Sequence, residues 1–79
     1  MQIRRFENTI DFIVRVKIQD IAFLQSVMEG YEGSAGFTTV DPVQGIGRIF
    51  VAPFAFPVLK KVIEDLKKEL GLEILEIIE

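Results

Sequence analysis

Between Ile10 and Ile18 every even-numbered residue is apolar, and three of the four odd-numbered ones between them, Asp11, Arg15 and Lys17, are charged. A period of two is the pattern of a strand with one face on a core and the other in water. It predicts a half-buried strand whose inner face is Ile10, Phe12, Val14, Val16 and Ile18 and whose outer face is Asp11, Ile13, Arg15 and Lys17. Such a strand needs a second layer over its apolar side, and the rest of the chain has to supply it.

The period then changes. Ile21, Leu24, Val27, Met28 and Tyr31 are spaced three or four apart and share one face of a helix. Asp20 is placed to cap it, because a carboxylate accepts the unpaired amide hydrogens of a first turn. Gly30 and Gly33 bracket its end, where a left-handed residue is commonly required. Two short stretches suited to a pleated surface follow, 35–40 and 46–52, joined by Asp41-Pro42-Val43-Gln44-Gly45, long enough to close an antiparallel hairpin.

Beyond Pro53, the residues Leu59, Val62, Ile63, Leu66 and Leu70 predict a second amphipathic helix. Pro57 fits its first turn and Gly71 its stop. On its outer side Lys60 and Glu64, Lys61 and Asp65, and Glu64 and Lys68 stand four residues apart, a favourable spacing for opposite charges. Leu72 to Ile78 is a last strand. Met1 to Glu7 has two outcomes open to it, an extension of the first strand or an arm.

Strand, helix, strand, strand, helix, strand, with no linker, repeat or low-complexity stretch, predicts one α+β domain over residues 1–79. The layer solution for that order is the ferredoxin-like βαββαβ sandwich, a four-stranded antiparallel sheet with two helices on one face.

Composition narrows the chemistry. The chain has no cysteine and no histidine, which removes disulfides, thiolate metal sites, thiol nucleophiles, imidazole bases and the Ser-His-acid triad. No metal site, cofactor or catalytic residue is expected. Twelve acidic residues against nine basic ones argue against a phosphate-neutralising surface, so nucleic acid is not expected as a partner. No apolar run approaches a membrane span, and no signal peptide is expected, so the expected location is the cytoplasm.

Three strings invite a functional reading. Val43-Gln44-Gly45-Ile46-Gly47-Arg48 resembles the phosphate-binding loop of acylphosphatases, and an enzyme of that kind using Gly45 and Arg48 is one alternative. In that family the loop joins the first strand to the first helix and an asparagine positions water. Here the string lies in a hairpin, and the single asparagine is Asn8. Gly47-Arg48-Ile49-Phe50-Val51 resembles the third-strand motif of RNA-recognition domains, so the other alternative is a nucleic-acid module using Phe50, Arg15 and Lys17 on the open sheet face. The third string, Glu29-Gly30-Tyr31-Glu32-Gly33, together with Asp20 and Asp41, supplies the candidate ligand-binding residues: Asp20, Glu29, Tyr31, Glu32 and Asp41.

Apolar surplus suggests association. Ile13, Ile46 and Phe50 are expected on the open sheet face, and the last strand carries Ile74, Leu75, Ile77 and Ile78, large aliphatics on both its faces. A small domain with such an edge gains from covering it. These seven residues are the candidate interface of a homo-oligomer, a dimer or higher.

The run of Asp20, Leu24, Glu29-Gly30-Tyr31-Glu32-Gly33, Asp41-Pro42, Gly45 and Pro53 resembles a group of short, uncharacterised bacterial proteins classed as a domain of unknown function. The arrangement is also similar to ACT-type regulatory domains, which share this fold, pair their copies and bind amino acids or other small ligands between them. Their ligand contact comes from the loop after the first strand, often at a glycine, where this chain has Gln19-Asp20-Ile21. The resemblance supports the architecture; the apolar last strand and the missing catalytic residue types lead to the expectation of a non-enzymatic regulatory or interaction module that self-associates and can bind a small ligand at a subunit interface.

Overall fold

The computed structural model describes residues 8–79. Met1 to Glu7, with its two expected outcomes, lies outside the described residues. Strand β1 spans Ile10–Arg15, helix α1 Ile21–Glu29, β2 Ala35–Asp41, β3 Ile46–Val51, helix α2 Phe56–Leu70 and β4 Glu73–Ile78. Short 3-10 turns, Ile18–Asp20 and Pro53–Ala55, lead into the two helices. The strands form one antiparallel sheet in the order β2-β3-β1-β4, the ferredoxin-like βαββαβ arrangement. Among the described residues no helix is long and apolar enough to cross a membrane.

One face of the sheet makes the core. Phe12 and Val14 of β1 and Ile49 and Val51 of β3 are buried with Leu24 and Met28 of α1 and Leu59, Ile63 and Leu66 of α2. Ile21, Val27, Tyr31, Val62 and Leu70 pack against this cluster, so both helices bury the faces their spacing predicts. The Phe12 and Phe56 rings stack with centroids 6.1 Å apart, fastening the first turn of α2 to the sheet. At the far end of α2, Gly71 takes a left-handed φ of 69° and its N–H donates to the Lys67 carbonyl, ending the helix as expected. The outer-face charges of α2 at four-residue spacing form no ion pair among the described residues.

Three local expectations need correction. Ile18 is exposed, because β1 stops at Arg15, where its pairing with both neighbours ends, and the chain turns into a 3-10 helix. Asp20 makes no capping hydrogen bond; already in helical conformation (φ −95°, ψ −2°), it lacks the extended backbone a capping side chain uses. Gly30 is right-handed (φ −67°), and the left-handed residue of that turn is Gly33 (φ 90°).

Candidate functional site

The sheet face turned away from the helices is defined by register. Arg48 of β3 lies directly opposite Ile13 of β1 and Thr38 of β2, and Phe50 lies opposite Asp11 and Gly36. Asp11 and Arg48 are therefore diagonal neighbours on this face. Asp11 is only 4% exposed although it sits on the face open to solvent. Three hydrogen bonds compensate its burial: the Thr9 hydroxyl donates to Oδ1, and Arg48 donates to Oδ2 through Nε, at 2.9 Å, and through Nη2.

Arg48 is thus gripped along one edge of its guanidinium, while 48% of its side chain is exposed. Its Nη1 has no hydrogen-bond partner among the described residues. A shallow depression of about 290 Å³ opens over it, lined by Thr9, Asp11, Thr38, Arg48 and Phe50. The Phe50 ring leans over Gly36: a Cβ there would fall 2.4 Å from its Cε1, so the absence of a side chain lets the ring lie against the strand. A second cross-strand pair, Arg15 to Glu73 at 3.1 Å, lies further along the same face and is solvated.

A larger cavity, about 650 Å³, lies between the end of α1 and the start of β2, lined by Gln25, Met28, Glu29, Glu32, Ala35, Gly36, Phe37 and Phe50. The structure brings the candidates Glu29 and Glu32 together there. Tyr31 packs against the core, and its carbonyl accepts the N–H groups of Ser34 and Ala35. Asp20 and Asp41 lie elsewhere, Asp20 at the start of α1 and Asp41 at the far end of β2. Asp41 organises the hairpin: its Oδ1 accepts the N–H groups of Val43 at 3.0 Å and Gln44 at 3.2 Å, and its Oδ2 accepts the Gln44 side-chain amide. The five ligand-binding candidates do not form one site. Among the described residues no group of three or more Asp or Glu side chains converges as a metal site would require.

The Val43–Arg48 segment is the hairpin turn and the start of β3. Its Val43 and Gln44 amides are engaged by Asp41 and its arginine by Asp11. Of the candidate interface residues, Ile13, Ile46 and Phe50 are half-buried on the open face, and Ile74 packs against the core. Leu75, Ile77 and Ile78 are 40%, 50% and 43% exposed. The pairing of β4 with β1 shifts between Ile13 and Val14, so that Val14 faces Ile74 and Ile13 faces Glu76, with Leu75 as the extra bulged residue.

Sequence reasoning missed the Asp11–Arg48 pair. Their opposite charges were visible, but only the β1–β3 register shows that they are neighbours.

No curated protein and no solved structure matches the chain. A family model described as a domain of unknown function, DUF4911, matches residues 14–70, which contain β1 from Val14 through the end of α2. With both helices and the β2–β3 hairpin inside that match, the chain belongs to the DUF4911 family.

Proposed function

We propose that this chain is a non-enzymatic interaction module that self-associates through β4, with a small ligand held where copies meet, in the manner of ACT-type regulatory domains. One observation carries the reading: among the described residues β4 is an edge strand paired with β1 alone, and it presents Leu75, Ile77 and Ile78 to solvent. An unpaired row of backbone donors and acceptors beside exposed aliphatics is a template for another strand. A second β4, related by a two-fold axis, satisfies both the hydrogen bonds and the apolar surface. The bacterial, cytoplasmic setting expected from the sequence belongs to the same proposal.

Sedimentation velocity on the full chain, from micromolar to several hundred micromolar, tests it. The expected result is a dimer or higher species that Ile77→Lys converts to monomer, since a lysine on an edge opposes pairing and its stem still covers apolar neighbours. A wild-type chain that stays monomeric throughout, or an Ile77→Lys variant of unchanged mass, overturns the reading. Native mass spectrometry of the same preparation reads any small molecule that the assembly retains.

A further inference from the structure

We infer that the Arg48 depression on the open sheet face is a binding site for an oxyanion, the carboxylate or phosphate group of a small molecule. A guanidinium has two hydrogen-bonding edges, Nε with one Nη and the two Nη groups together. Asp11 occupies the first, through Arg48 Nε and Nη2. The second edge includes Nη1, which no described residue engages, and the depression lies over this side chain. A planar pair of donors is the geometry that takes a carboxylate or phosphate in a bidentate grip.

The buried carboxylate is what makes this arginine a receptor rather than a mobile surface charge. Asp11 is held by Thr9 and covered by its neighbours, so it fixes the guanidinium plane before a ligand arrives. Thr38, opposite Arg48 on β2, brings a hydroxyl to the rim, and Phe50 supplies an apolar wall. Because the pair is neutral overall, recognition relies on the directed donors more than on net charge. Affinity in the millimolar to sub-millimolar range is expected for a bare anion, roughly the scale of one bidentate contact.

The test is an NMR titration of the isotope-labelled full chain with inorganic phosphate and, separately, with acetate, against chloride at matched ionic strength. The Arg48 Nε–H resonance and the Thr38 and Phe50 amides are expected to shift saturably in at least one arm. The stronger arm identifies which oxyanion the site prefers. Arg48→Lys keeps the charge and removes the fork, and is expected to weaken binding at least tenfold. Thr38→Glu places a carboxylate directly opposite Arg48, on an exposed strand position where folding is not at risk, and is expected to abolish saturation by filling the fork internally. Shifts that stay linear and match chloride, or a Thr38→Glu chain that titrates like the wild type, overturn the inference. None of these outcomes depends on β4, so self-association is judged separately.

Discussion

Replacing Gly45 by alanine puts a Cβ 2.1 Å from the Val16 carbonyl oxygen, in a residue whose φ is +72°. Two costs follow. The left-handed backbone disfavours an L side chain by about 1 kcal/mol. The contact must then open by about 1.3 Å to reach the ordinary 3.4 Å, and the atom in the way is backbone, not the end of a flexible side chain. That movement pulls apart the hydrogen bond in which the Val16 N–H donates to the Gly45 carbonyl at 2.8 Å. Val16 is buried, so breaking that bond costs a further ~1–3 kcal/mol. The sum is about 2–4 kcal/mol, a large part of the stability of a small domain, and it lowers the melting temperature by roughly 10–25 °C. Gly71→Ala is the control: φ is +69°, nothing lies within 4 Å of its Cβ, and only the dihedral cost of about 1 kcal/mol applies. Urea unfolding of both variants measures the difference. If Gly45→Ala and Gly71→Ala lose the same stability within error, the close approach of the hairpin to Val16 is not what requires glycine there.

Arg48→Ala is expected to cost about 2–3 kcal/mol by urea unfolding, less than the ~3–5 kcal/mol of a fully buried pair because water reaches the half-exposed site. The double variant Asp11→Val with Arg48→Leu removes both charges and is expected within about 1 kcal/mol of wild type. Asp41→Ala removes the acceptor of two turn amides and is expected to cost about 1 kcal/mol, with faster hydrogen exchange at Val43 and Gln44, whereas Asp41→Asn keeps an acceptor and most of the stability.

The elements were legible because each rests on a local periodicity. The alternation after Ile10 and the three-and-four spacings of Leu24, Met28, Leu59, Ile63 and Leu66 select the faces that the structure buries. What was not legible depends on partners. The alternation continues through Ile18, yet the strand stops at Arg15, because β3 and β4 stop pairing there and pairing has no signature in a single strand. Leu72 to Ile78 reads as a regular strand, while the bulge at Leu75 arises from its register against β1. Asp11 reads as a solvated outer-face residue. In the fold it is buried, and a residue 37 positions away reaches it diagonally across β1 and β3. Glu29 and Glu32 stand three residues apart across the turn that ends α1, a proximity a sequence displays, whereas their grouping with Asp20 and Asp41 required the two ends of α1 and β2 to meet.

The two proposals occupy different parts of one sheet and make separate demands on it. Pairing two β4 strands about a two-fold axis places β3 of one copy and β3 of the other five strand spacings apart, about 24 Å. The two Arg48 side chains are then too distant for one small ligand to bridge. A ligand bound at Arg48 is therefore held within one copy, whereas a ligand shared between copies sits near β4, where Glu73, Glu76 and Ile78 lie on the open face and Ile77 on the other. The first environment offers directed cationic donors and selects an oxyanion. The second offers carboxylates and aliphatic surface, and selects a cationic or apolar molecule. The charge of whatever the protein retains on purification thus distinguishes the location of binding before any mutation is made.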